Sequence, residues 1–173
     1  MAAALSPSAA LLEALRPGLT RHAPFAQMAR ADVDFFILGS EQRYYAPGEL
    51  LASPEQGPVE EIHFIREGAV TGVRGDSALQ AFAYEAGDLF PLGAAVGHRA
   101  VTATYRATAD TFALVLPRSA MTELAARSPA FADFLTRRVA RFLELSRQEL
   151  QKTFASQVLA EQSLETPLGE LAA

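Results

Sequence analysis

The sequence predicts a mainly β α+β fold: a double-stranded β-helix or jelly-roll-like β-roll of about eight strands, with N-terminal helices and one long C-terminal helix. Three observations predict it. Between residues 43 and 116, short β-type runs are separated by Gly48, Gly57-Pro58, Gly68, Gly75-Asp76 and Gly87-Asp88. That spacing suits a barrel or sandwich, because a parallel sheet would need helices between its strands. The segments on either side carry helical apolar spacing instead. Half of the 173 residues are hydrophobic, enough to fill one sizeable core.

The elements follow in order. Residues 1–23 read as an N-terminal helical segment. Ser6-Pro7-Ser8 supplies a cap and a first-turn proline, Leu11, Leu12 and Leu15 share a face, and Pro17-Gly18 is expected to break the helix. Residues 24–128 form the roll. It opens with a helical stretch from Pro24 to Leu38 that carries Phe25, Met28, Val33, Phe36 and Ile37. The β-type runs are Arg43 to Tyr45, Glu49 to Leu51, Glu61 to Val73, Leu79 to Tyr84, Tyr105 to Thr108 and Thr111 to Leu116. In Ile62-His63-Phe64-Ile65-Arg66-Glu67 apolar and polar residues partly alternate, as on a strand with one buried face, and Gly68 stands where a turn or bulge needs a missing Cβ. A short helix is expected from Ser119 to Ala126. The long helix spans 129–162, opened by Ser128-Pro129, with Phe131, Leu135, Val139, Phe142 and Leu145 on a stripe that Leu150, Phe154 and Val158 continue less regularly. A helix of that length outruns a small roll, so its far part is expected to meet a second copy in a homodimer. Residues 163–173 read as a linker or tail.

Composition narrows the function. The net charge is −5, against the basic stripe of nucleic-acid binders. With no cysteine, disulfides, thiolate nucleophiles and Cys-ligated zinc are excluded. Met1-Ala2-Ala3-Ala4-Leu5 lacks a basic n-region, and no apolar run approaches a spanning length. A cytoplasmic protein with no membrane and no nucleic-acid partner is the expectation. His22, His63 and His98 are not spaced as ligands to a metal, and no Ser-His-Asp order, P-loop or Gly-x-Gly-x-x-Gly occurs, so no enzyme is expected. His63 reads as a surface or packed histidine and His98 as part of a solvated loop. Arg137, Arg138 and Arg141 near Glu144 read as a solvated helical face.

Four phrases, in this order, carry a family resemblance: Tyr45-Ala46-Pro47-Gly48-Glu49-Leu50-Leu51, Glu61 to Val70, Gly87-Asp88-Leu89-Phe90, and Leu114-Val115-Leu116-Pro117 with Ser128-Pro129. Over roughly residues 24 to 150 the chain resembles the cyclic-nucleotide-binding domain. Phe90-Pro91-Leu92-Gly93-Ala94, Thr102 to Ala107, Asp110-Thr111-Phe112 and the tail from Ala160 to Leu168 are similar to a subgroup of it. That subgroup is the N-terminal module of bacterial signal-transduction proteins that also carry a CBS pair and a putative nucleotidyltransferase region. The resemblance implies a regulatory module, a fragment of a longer chain with those domains attached, and a cyclic nucleotide or another small nucleotide or anion as ligand. No cofactor is assigned. The few residues after the long helix are too few for the helix-turn-helix of related transcription factors.

The same resemblance places the ligand cassette on Gly87, Asp88, Phe90, Leu92, Gly93, Ala94, Arg99, Val101, Thr102 and Ala103, with Phe82 and Tyr84 beside it. The family's ribose-binding Glu falls on Leu92 and its phosphate-binding Arg on Val101. No acidic residue lies between Asp88 and Asp110, and Arg99 is the nearby cation that could take over the phosphate, since Arg106 alternates with Tyr105 on its strand. A phosphate buried against Leu92 and Val101 without a partner costs several kcal/mol, and Pro91 removes a backbone donor. Two readings stay open. In one, the pocket takes a different, less charged or more apolar ligand, with Arg99, Thr102 and Tyr84 as the polar contacts. In the other, the loop is packed shut and the domain is a ligand-free dimerisation module. Beside these two, binding of cAMP or cGMP through a shifted Arg99 is a separate alternative. Phe142 or Ser146 could line the pocket from the long helix, with packing the stronger expectation for Phe142.

Overall fold

The computed structural model describes residues 7–75 and 81–164. The chain runs α1 (Pro7–Leu19), a 3-10 turn at Phe25–Gln27, α2 (Arg30–Gly39), then β1 (Glu41–Tyr45), β2 (Leu50–Ala52), β3 (Glu61–Glu67), β4 (Ala69–Val73), β5 (Ala81–Glu85) and β6 (Leu89–Phe90). There follow α3 (Leu92–Val96), β7 (Thr104–Ala107), β8 (Thr111–Pro117), α4 (Arg118–Arg127) and α5 (Pro129–Leu164). Among the described residues, eight strands form two antiparallel sheets, ordered β1-β8-β3-β6 and β2-β7-β4-β5. This is the mainly β α+β roll that the sequence predicts.

The centre of the first sheet explains the core. Ile62, His63, Phe64 and Ile65 of β3 are all buried, so the partial alternation read from the sequence does not mean one solvated face. Both faces are covered. Phe64 meets the rings of Phe25 and Phe36 edge to face, at 5.1 and 6.3 Å, on the helical side. His63 points the other way and stacks on Phe90 at 5.2 Å. It is the packed histidine of the two readings. Gly68 joins β3 to β4 with φ +96°, and a Cβ there would run into Asp110 O and Thr111. The buried Thr111 hydroxyl accepts from Ala69 N (3.3 Å) and has Ala109 O (2.9 Å) and Ala69 O (3.1 Å) as acceptors for its proton, which closes the same bend.

Several boundaries differ from expectation. Pro17 does not end α1: the helix runs through it to Leu19, and the burial of Leu15 and Leu19 offsets the lost backbone bond. The stretch from Pro24 to Leu38 is broken at Met28, which is extended (φ −83°, ψ 152°), so that Phe25 and Phe36 meet at 4.7 Å from separate elements. Glu61 to Val73 is two strands, and β6 is a two-residue strand within the cassette phrase. The helix expected from Ser119 to Ala126 is α4, and Pro129 opens α5 as expected. Leu79 and Gln80, the side chains of Ser146 and Val158, and the tail beyond residue 164 lie outside the described residues. No helix among the described residues is long and apolar enough to cross a membrane.

Candidate functional site

A cavity of about 410 Å³ opens between the second sheet, the β6–α3 segment and one face of α5. Its floor is aromatic. Phe90 of β6 stacks on Tyr84 of β5 at 4.8 Å, and Tyr105 of β7 lies 5.4 Å from Phe90 and 5.9 Å from Tyr84. Burial raises the pKa of both Tyr84 and Tyr105, so their phenols remain protonated donors at neutral pH.

The short helix α3 follows from the local chain. Ala95 N donates to Pro91 O at 3.0 Å, and Arg118 Nε donates to Ala95 O at 2.8 Å, satisfying a carbonyl at the helix end. Arg99 N donates to Ala94 O, and Arg99 O accepts from Val59 N, both at 3.1 Å. The loop backbone is thereby fixed, with Leu92 and Val101 in the cavity wall and only 6% and 5% exposed. The positions that the resemblance assigns to a carboxylate and a guanidinium are therefore apolar wall.

Among the described residues, four guanidiniums border the cavity, from Arg74, Arg99, Arg138 and Arg141, and no carboxylate does. Arg74 Nη2 donates to Thr102 Oγ1 at 3.0 Å, and its guanidinium lies 5.3 Å from the Phe82 ring. Arg138, Arg141, Phe142 and Leu145 are spaced i, i+3, i+4 and i+7, which puts them on one face of α5. Arg138 and Arg141 are exposed, as the solvated-face reading has it, but they also border the cavity. Arg137 pairs with Asp133 on that face, and Glu144 pairs with Arg147 rather than with the cluster. Phe142 lines the cavity; a Cβ on Gly93 would sit 3.8 Å from its ring.

Of the residues expected in the site, the cavity brings together Phe82, Tyr84, Phe90, Leu92, Gly93, Ala94, Arg99, Val101 and Thr102. Gly87, Asp88 and Ala103 are not among its lining residues. Gly87 and Asp88 build the turn behind it. Gly87 N donates to Ile65 O (2.8 Å), Ile65 N donates to Asp88 O (3.0 Å), and Asp88 Oδ2 accepts from Glu85 N (2.9 Å). Ala103 is buried in the core. Arg106 is turned away and donates to Gly48 O at 2.9 Å, as the strand alternation requires. His98 is held by Glu60 (2.7 Å) outside the cavity. The sequence reading missed Arg74 and Tyr105, and it missed the helix arginines as wall. The i, i+3, i+4, i+7 spacing was a signal for the last of these.

A second, smaller cavity of about 220 Å³ lies behind Pro91 and Val101 and reaches His63. Burial keeps that imidazole neutral, with its pKa lowered to about 4. Its Nε2 is 3.2 Å from Tyr45 Oη, and its Nδ1 has no partner among the described residues.

The geometry has wide parallels among solved structures. One is the cAMP-bound PfPKA-R, at 15% identity and TM-score 0.71, covering 82% of this chain and 48% of that one. Another is the catabolite activator protein of Thermus thermophilus, at 24% identity and TM-score 0.63, covering 79% of this chain and 62% of that one. A third is the sensor domain of the transcriptional regulator DNR from Pseudomonas aeruginosa, at 13% identity and TM-score 0.63, covering 74% of this chain and 92% of that one. The chain thus spans about half to three fifths of the length of the first two. At these identities the likeness is one of fold. No curated protein matches the chain. The model of the cyclic nucleotide-binding domain matches residues 42–128, half of the sequence, and with the roll, the cassette segment and the closing helix all in place the chain belongs to that family.

Proposed function

We propose that this domain is a sensor whose roll cavity binds a small anionic ligand other than cAMP or cGMP and relays occupancy through α5 to an attached domain. Domains of this family are typically regulatory and non-catalytic, and two of the similar structures hold cAMP. One observation carries the departure from that ligand: Leu92 and Val101 are buried apolar wall, and among the described residues no carboxylate lines the cavity to accept a ribose hydroxyl. Four arginines beside an aromatic floor favour an anion with a flat body. Calorimetric titration with cAMP, cGMP, AMP and ATP tests the reading. Weak or absent cyclic-nucleotide binding is expected, and micromolar affinity for cAMP overturns it.

A second reading concerns α5. Leu143, Leu150 and Phe154 are more than half exposed and share one face, since i, i+7 and i+11 return close to the same angle on a helix. That face is opposite the one that lines the cavity. An apolar strip of this kind favours a homodimer through the long helix, with the CBS and nucleotidyltransferase regions as candidate attached domains. A strictly monomeric mass by light scattering at high concentration rejects the dimer.

A further inference from the structure

The four arginines of the cavity come from two sides. Arg74 and Arg99 belong to the roll, whereas Arg138 and Arg141 stand one turn apart on α5. On each side one guanidinium is engaged. Arg74 bonds Thr102 and covers Phe82. Arg138 lies 5.3 Å from the Phe134 ring, with Asp88 Oδ1 at 3.9 Å. Arg99 and Arg141 make no ion pair and no side-chain hydrogen bond with any described residue. Each side of the cavity therefore presents one uncommitted positive charge, and both side chains are exposed. A ligand that fills the space takes water from both, and only anionic groups replace that hydration well. Phe82, Tyr84, Phe90, Tyr105 and Phe142 offer flat apolar surface in the same cavity.

We infer that the ligand is a multiply charged anion with a flat body that bridges Arg99 and Arg141, one anionic group meeting the roll and another meeting α5. This rests on the sensor reading above and names the ligand's charge class. A singly charged cyclic phosphate satisfies one of the two arginines and leaves the other desolvated. A nucleoside diphosphate has the charge and the flat base to satisfy both. Arg141 is then a ligand-contacting residue supplied by the helix, so the number of charges on the ligand decides whether α5 is gripped.

The test is calorimetry on the full chain with adenosine, AMP, ADP, cAMP and pyrophosphate, at low and at high salt. Affinity is expected to rise from adenosine to AMP to ADP, with ADP the most salt-sensitive. Arg141→Ala is expected to weaken ADP about tenfold or more while leaving adenosine unchanged. Arg99→Ala should do the same. Arg137→Ala, on the solvated face of the same helix, should do nothing. Binding that ignores charge, or an Arg141→Ala protein that binds ADP like the wild type, overturns the bridge and leaves the sensor reading intact. Failure of every probe to bind the wild-type chain overturns both.

Discussion

Replacing Gly87 by Ala isolates how the turn behind the cavity is held. Gly87 has φ +97°, and a Cβ there would run into the imidazole ring of His22. Two costs add. The positive φ costs a residue with a Cβ about 1–2 kcal/mol. Displacing His22 breaks its edge contact with Phe64, at 6.1 Å, and overpacks the site, together about 2–3 kcal/mol. Gly48→Ala supplies the control, because Gly48 has φ +88° with nothing within 4 Å of a built Cβ. The gain from a stiffer unfolded chain is common to both substitutions and cancels in the difference. In urea denaturation at constant m-value, Gly87→Ala should therefore cost about 2–3 kcal/mol more than Gly48→Ala. Adding His22→Ala should remove most of that excess, measured as a coupling energy in a double-mutant cycle. Equal costs for the two glycine variants, or no coupling to His22, would refute the steric argument.

Three further outcomes are expected. His63 has its pKa lowered from 6.5 to about 4 by burial, so between those values the unfolded chain binds the extra proton. Its contribution is complete above pH 6.5 and falls by roughly 3 kcal/mol as the pH drops to about 4; His63→Gln should flatten that part of the stability–pH curve. Thr111→Val takes the hydroxyl from Ala69 N and Ala109 O in the bend, whereas Ala69 O keeps its bond from Thr108 N at 2.9 Å, and the change should cost about 1–3 kcal/mol and speed amide exchange at Ala69. Leu150→Glu combined with Phe154→Glu should lower the mass seen by light scattering without changing the melting of the roll, since both residues are exposed.

The parts legible in the sequence were those fixed by local backbone chemistry. Gly68 and Gly87 mark bends at positive φ where a Cβ would collide with its neighbours, and Gly87 turns the chain into β6 and α3. The break at Met28 was not legible, because the apolar spacing runs on through it. What breaks the helix is the packing of Phe25 and Phe36 against Phe64, a contact across the chain. For the same reason half of the cavity was invisible. Arg138 and Arg141 carry the composition of a solvated helix face; their spacing with Phe142 and Leu145 puts them on one side of α5, and the docking of α5 on the roll makes that side a cavity wall. Arg74 becomes part of the wall because β4 ends beside Thr102, twenty-eight residues further along the chain. Leu92 and Val101 were readable as departures, and their burial turns that departure into a property of the site.

Helix α5 carries the cavity face and the apolar strip back to back on one backbone. Two binding events that share one rigid element are bound by reciprocity. If a ligand in the roll shifts the helix and changes its affinity for a second copy by some factor, association must change the affinity for the ligand by that same factor. A domain of this design would show a ligand dissociation constant that drifts with its own concentration. The direction of that drift would reveal whether the ligand assembles the protein or takes it apart.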